Sequence, residues 1–392
     1  MTHRERVLKA LNHKEPDRVP LDLGGNVSGM MGETYKNLKE YLNLDECGYD
    51  LIDNEWFLTF IFDERILQLF DIDFRRVYLR GPSGYKKIIR EDGTWIDLMG
   101  FVRKKRGYYG EIIDHPLRKT DDIYDIKKFK FFNANDREMI RGLKEEAISL
   151  YNNTDYAISA RQAVGGLLET CTWIRGFDQF PIDLIWNKKL AHTLLEKVTN
   201  LYMELMELFL GEVGGYIHMV EMADDIGTQS GLYISPELYR EMIFPYYKKL
   251  LDLIKSKTDA KILHHSCGSV IGIVQNLIDA GIDILNPLQP RAKGMDTTFL
   301  KDNYGDKLCF HGGIDIQYVM PYGTEKDVRE EVKRRIAIYA PGGGYILCCS
   351  HDIQPDTPPQ NIVFMYKYAM EYGKYPLSKE IIKLREDIKK QG

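Results

Sequence analysis

Cysteine is scarce in this chain: six residues, Cys47, Cys171, Cys267, Cys309, Cys348 and Cys349, are spread over 392 positions. They lie in apolar or glycine-flanked contexts without the spacing of a disulfide framework, so reduced thiols are expected and those near histidines become candidate ligands. No uninterrupted apolar run reaches the ~18 residues that a membrane-spanning helix needs. The charged start Met1-Thr2-His3-Arg4-Glu5-Arg6 lacks the apolar centre of a signal peptide. A basic half is missing too. The 53 Lys and Arg stand against 58 Asp and Glu, a formal charge of −5, which argues against a phosphate-backbone partner. Together these absences point to a cytoplasmic protein that engages neither nucleic acid nor membrane. Internal repeats and low-complexity segments are also lacking.

What is present is globular composition, 44% hydrophobic and 28% charged, enough for a sizeable core. Val7, Leu8 and Leu11 have helical spacing, and Arg18-Val19-Pro20-Leu21-Asp22-Leu23 then runs as a strand into Gly24-Gly25. From about 40 to 150 the chain is irregular and rich in Tyr, Phe, Asp and Lys, which reads as an insertion that forms part of a substrate lid. Beyond 150, short apolar runs alternate with helical-period segments. Strands are expected around 156–160, 214–220, 261–265, 282–285, 308–311 and 344–347, and helices over 191–210, 235–254 and from 357. Ser235-Pro236-Glu237 and Thr357-Pro358-Pro359-Gln360 carry the hydroxyl and proline of helix starts, and Pro245 is expected to bend the helix it interrupts. This alternation predicts an α/β fold, a single TIM (β/α)₈ barrel over 1–392 with an N-terminal insertion or lid.

In such barrels chemistry sits where strands end, so the polar residues there are the candidates. Asn26, Gln162 and His311 are expected to contact substrate. His265 and Cys267 are two apart at the end of an apolar strand and share a face, so imidazole and sulfur can converge as half of a zinc shell. At the end of the last strand, continued alternation would put Cys349 and His351 on the face of Leu347, with Cys348 turned away. Glu221, Asp224 and Asp225 follow another strand and are candidates for proton transfer, substrate positioning or metal ligation. Gly342-Gly343-Gly344 precedes a strand and so fails as a dinucleotide fingerprint.

At these residues the chain resembles the uroporphyrinogen decarboxylase-like superfamily. The resemblance rests on Arg4-Glu5-Arg6-Val7 with Pro16-Asp17-Arg18-Val19-Pro20, Asp224-Asp225-Ile226-Gly227 with Ser235-Pro236, His265-Ser266-Cys267-Gly268, Gly312-Gly313-Ile314-Asp315, and His351-Asp352-Ile353-Gln354-Pro355-Asp356-Thr357-Pro358. True decarboxylases of uroporphyrinogen have an arginine-rich segment after the first strand, whereas Leu23 to Met30 here holds no arginine to bind porphyrinogen carboxylates. The His-x-Cys-Gly segment is similar to that of the corrinoid-dependent methyltransferases, in which these two residues bind zinc with a cysteine near the end of the last strand. His351 falls at that third position, which leaves a His265-Cys267-His351 site, recruitment of Cys349, or no metal. Glu221 is a further possible ligand.

The resemblance implies a methyltransferase with one zinc ion. It would move a methyl group from a small methylated substrate to the cobalt of a corrinoid carried by a partner protein. A methoxylated aromatic is the expected donor, with O-demethylation as the reaction, because Trp56, Phe57, Phe60, Phe62 and Tyr85 offer rings for a planar substrate. The alternatives are methylcobamide-to-thiol transfer of the coenzyme M type and decarboxylation of the uroporphyrinogen type.

Overall fold

Seven short strands pair side by side, all in parallel, in the order in which the chain makes them. They are β1 (Phe74–Val77), β2 (Ala157–Ala160), β3 (Met219–Ala223), β4 (Lys261–His265), β5 (Ile284–Asn286), β6 (Cys309–Ile314) and β7 (Tyr345–Cys349). The sheet curls so that the extended segment 19–23 touches both edges. Leu347 N–H donates to Pro20 O at 2.9 Å and Asp22 N–H to Leu347 O at 3.1 Å on one side, and Asp73 N–H donates to Leu21 O at 3.0 Å on the other. The computed structural model describes residues 1–26, 28–45, 51–53 and 58–391, and side chains at 51–53, 58–60 and 391 are outside that description. Among these residues no helix is long and apolar enough to cross a membrane.

The interior is layered because strand side chains alternate between the two faces of a sheet. Phe74, Ala157, Met219, Leu263, Ile284, Cys309 and Ile346 form an inner apolar floor with Val7 and Leu11. The last two belong to the N-terminal helix His3–Leu11, started by a Thr2–Glu5 capping box, which plugs the N-terminal end of the sheet. Outside the sheet, helix Lys188–Val213 buries Leu194, Leu195, Val198, Leu201, Leu205 and Leu208, the residues whose 3.6-residue spacing predicted it. Ser235 caps the helix at Pro236, as its sequence suggested, and a π turn at Tyr239–Ile243 precedes Pro245, which has no N–H for the regular ladder.

Three expectations need correction. Residues 74–77 lie within the span read as an insertion, yet they form β1, an integral strand. Its two central arginines hide it from an apolar-run reading, and both are neutralised: Arg75 by Glu64, Arg76 by Asp22 and Glu221. Helix Leu143–Asn153 likewise leads directly into β2, and the excursion between holds a four-stranded antiparallel sheet spanning 88–114. The strand expected at 214–220 begins only at Met219, because the preceding helix runs on to Val213. Thr357-Pro358-Pro359-Gln360 also has the spacing of a capping box, but none forms: the last of the expected helices starts at Pro359 without a side-chain cap.

The segments Arg4 to Val7 and Pro16 to Pro20 meet at Asp73, which lies at the base of β1 with no exposed side-chain surface. Its carboxylate accepts from Arg6 Nη1 at 2.7 Å, Arg18 Nη1 at 2.7 Å, His3 Nδ1 at 2.8 Å and the Leu21 amide at 2.7 Å. Burial alone would raise its pKa, but His3, Arg18 and the amide outweigh burial and hold it below the ordinary carboxylate value. A depressed folded-state pKa stabilises the fold fully above about pH 4, a contribution that is lost as the pH falls through the folded value. D73N strands two buried guanidinium groups, so urea unfolding at pH 7 should show a loss of about 3–5 kcal/mol. The difference from wild type should shrink as the pH is lowered, and equal stability at pH 7 would contradict this role.

Candidate active site

One step above the apolar floor, the inward position of each strand turns polar: Asp22, Arg76, Ser159, Glu221, His265, Asn286, His311 and Cys348. Asp22 is fully buried against Arg76 Nη2 at 2.7 Å. Burial pushes its pKa up, but the Arg76 charge and the His311 hydrogen bond hold it far below the usual carboxylate range, so it is an obligate acceptor. That fixes the direction of every neighbouring bond. His311 must donate from Nε2 to Asp22 at 2.8 Å, so its Nδ1 accepts from Asn286 Nδ2 at 2.7 Å. Asn286 then offers only its Oδ1 to His265 Nδ1, which must be the protonated nitrogen. The relay leaves the Nε2 lone pair of His265 facing the open, strand C-terminal end of the sheet.

Three donors converge on that end. One donor atom each from His265, Cys267 and His351 lie within 4.8 Å of one another. The Cys267 sulfur is 3.3 Å from His265 Nε2, and the two imidazoles meet edge to face with centroids 5.6 Å apart. Burial lowers both imidazole pKa values to about 4, so both are neutral near pH 7. Burial also raises the Cys267 thiol well above its ordinary value, with the Asp225 charge adding to the effect. Two neutral imidazoles and a thiol that only a cation would ionise form a metal-type donor set. Metal–ligand bonds of roughly 2.0–2.3 Å would span the group after a small side-chain adjustment. Among the described residues these three donors converge mutually, and the Asp225 carboxylate stands beside them with Oδ1 3.8 Å from His265 Nε2; three ligands of this kind suit a catalytic site with a position left open.

Two loops hold the group by interlocking. Asp224 N–H donates to His265 O at 2.9 Å, Ile226 N–H to Ser266 Oγ at 2.9 Å, Cys267 N–H to Asp225 Oδ1 at 2.7 Å and Ser269 N–H to Thr228 O at 2.8 Å. The backbones approach so closely that a Cβ on Gly227 would stand 2.6 Å from Cys267 O, and one on Gly268 2.6 Å from Thr228 O. Gly268 also has φ +81°, in the left-handed region. Both sequence motifs end in glycine because each packs against the other.

The remaining expected residues divide by environment. Glu221 lies under the group and accepts from Arg76 Nε at 2.8 Å, Ser159 Oγ at 2.9 Å and the Asn26 amide at 3.1 Å, so its carboxylate is engaged in the polar ring. Asn26 and Gln162 bond to each other at 2.8 Å near the mouth. His311, expected to contact substrate, sits deep in the ring with both nitrogens engaged. Asp224 accepts the Leu168 and Glu169 amides at 3.0 Å each and so braces helix Leu167–Arg175. Burial raises its pKa to about 7 against those bonds. Asp225 faces His265, with Oδ1 3.8 Å from Nε2.

The Cys349 alternative is corrected: its sulfur packs outward, 3.4 Å from that of Met365, while Cys348 points inward to His311 at 3.5 Å. The alternation therefore runs opposite to the expected phase, and His351 comes inward only because the chain bends after β7. Trp56 and Phe57, and the side chain of Phe60, lie outside the described residues. Phe62 is a core residue edge-on to Tyr35, and Tyr85 sits on an exposed turn. The aromatic groups beside the site are instead Trp173, Phe177 and Tyr233, lining a cavity with Glu169, Thr172 and Asp225. Arg76, Asn286, Asp22 and Glu169 were not anticipated as site residues. A charged or amide side chain inside an apolar strand, as in Leu21-Asp22-Leu23 and Ile284-Leu285-Asn286, was the available signal.

Residues 113–372 match the family model described as uroporphyrinogen decarboxylase (URO-D). The uroporphyrinogen decarboxylase of Chlorobium phaeobacteroides is 23% identical over 189 residues, 47% of this chain and 49% of that protein. That of Prochlorococcus marinus is 26% identical over 195 residues, 47% of this chain and 52% of that protein. The chain thus spans about half the length of the curated relatives it matches. Among solved structures, a methyltransferase from Methanosarcina mazei aligns over 95% of this chain and 99% of its own with a TM-score of 0.63 at 16% identity, a likeness of fold.

The interlock has a direct test. G268A combines a disfavoured φ with a backbone collision, so urea unfolding should show a loss of about 1–3 kcal/mol. An unchanged midpoint would contradict the close approach of the two loops.

Proposed function

The chain belongs to the uroporphyrinogen decarboxylase family, and from that premise we propose that it is a corrinoid-dependent methyltransferase built on a single cytoplasmic (β/α)₈ barrel. It would move a methyl group between a small methylated substrate and the cobalt of a corrinoid held by a partner protein. The observation that carries this reading is the His265–Cys267–His351 group at the strand C-terminal mouth, a donor set suited to one zinc ion with an open position. Zinc, when bound, supplies Lewis acidity at that position. The chain's own residues do the rest. Asn286 holds the His265 ring, Asp225 pins the Cys267 backbone, and the mouth must stay open to a corrinoid partner because methyl transfer needs near-linear approach.

Decarboxylation of a many-carboxylate tetrapyrrole is the less favoured reading. Arg76 is already paired with Asp22 and Glu221, so its guanidinium is not free to hold substrate carboxylates. The methoxylated aromatic expected as donor draws no support from Phe62 or Tyr85, and its case now depends on the rings of Trp173, Phe177 and Tyr233.

Two measurements test the proposal. Anaerobic incubation with cob(I)alamin and methyl ethers, methylamines or methyl thiols should produce methylcobalamin absorbance with at least one donor; silence across all three classes would contradict methyl transfer. Metal analysis should find about one zinc per chain, lost in C267S and H351A. In N286L, chelator competition should reveal zinc affinity weakened about 10–100-fold, because the bond that orients His265 is removed.

A further inference from the structure

Next to the His265–Cys267–His351 group lies a cavity of about 200 Å³, the one whose rings a methoxylated aromatic donor would have to use. Its lining combines two carboxylates, Glu169 and Asp225, three rings, Trp173, Phe177 and Tyr233, and the hydroxyl of Thr172. Helix Leu167–Arg175 supplies Glu169, Thr172 and Trp173 from adjacent turns, and the Asp224 carboxylate anchors the helix start. The rings are held in place. Phe101 meets Trp173 edge to face at 6.3 Å, His115 meets Phe177 in the same way at 5.7 Å, and Tyr233 Oη donates to Phe177 O at 2.5 Å. Trp173 and Phe177 also line a second cavity of about 350 Å³ against the antiparallel sheet, so the two rings stand where the cavities adjoin.

Thr172 supplies an independent sign of a missing ligand. The residue is 3% exposed, and its Oγ1 has no hydrogen-bond partner among the described residues. A buried hydroxyl left unpaired costs free energy, which a polar ligand group would recover. Burial raises the Glu169 and Asp225 carboxyl groups above their ordinary pKa values, Glu169 well above with the Asp225 charge adding to the effect; a positive partner in the same small cavity offsets that cost, and aromatic faces favour one whose charge is spread over apolar groups. A bare calcium or magnesium ion would want six or more oxygens and gains nothing from the rings. A neutral methoxylated ring would suit the walls but bring no positive charge to the two carboxyl groups.

We propose that this cavity binds a small methylated ammonium ion. Its methyl groups rest on the rings of Trp173, Phe177 and Tyr233, its charge faces Glu169 and Asp225, and an N–H is accepted by Thr172. This assignment rests on the methyl-transfer reading only for calling that ion a substrate; the binding site stands apart from it.

Titration calorimetry of the intact protein with trimethylammonium chloride, and with tert-butanol as a neutral molecule of similar shape, tests the assignment. Saturable binding of the ammonium alone is expected. E169Q, which removes the group able to ionise against the cation but hardly changes shape, should weaken it at least about tenfold, and so should W173L, whereas W173F retains a ring and should lose less. Equal affinity for the two probes, or an undiminished affinity in folded E169Q, would overturn it. Ammonium binding without methylcobalamin formation from any donor would support the site while sinking methyl transfer. Methylation from a methoxylated ring with no ammonium binding would overturn the site and leave methyl transfer standing.

Discussion

The ion pair between Asp22 and Arg76, sealed inside the curled sheet, is the constraint on which the rest of the site depends. A carboxylate without water must be matched by charge and by donors, and here Arg76 and His311 meet that demand. Once Asp22 can only accept, the hydrogens of His311, Asn286 and His265 have one consistent arrangement. An electrostatic requirement at the first extended segment thereby sets the tautomer of an imidazole three hydrogen bonds away. The bare nitrogen it presents is the one that faces Cys267 and His351.

The layers explain why such a network is tolerated. Val7 and Leu11 close the floor, the apolar ring above them excludes water, and the polar ring is satisfied member by member, so its burial does not leave stranded donors. The candidate site lies where this order stops, at the ends of β3, β4 and β7. There the Asp224 to Thr228 and His265 to Ser269 loops lock through glycine backbones. The two motifs on which the resemblance rests here are in this sense one structural unit, brought together because neither loop tolerates a side chain where they cross.

Much of this was legible in the residues. The parallel α/β alternation, the helix over Lys188–Val213, the Ser235 cap and the convergence of His265 with Cys267 all follow from spacing. What was not legible depends on contacts distant in sequence. β1 was hidden because Arg75 and Arg76 look unlike strand interior until Glu64, Asp22 and Glu221 are in place. The inward phase of Cys348 and Cys349 was inverted because the alternation was carried on from Leu347 to His351, past the bend that ends the strand. Glu169 and Trp173 sit in a helix that no motif singled out, and only folding sets them beside Asp225.

The central claim is that the relay prepares His265 to bind a metal together with Cys267 and His351. X-ray absorption at the zinc edge of the purified protein tests it most directly. The account predicts a shell with one sulfur at about 2.3 Å and two imidazole nitrogens at about 2.0–2.1 Å. A shell without sulfur, or a protein that takes up no zinc when it is offered, would contradict it.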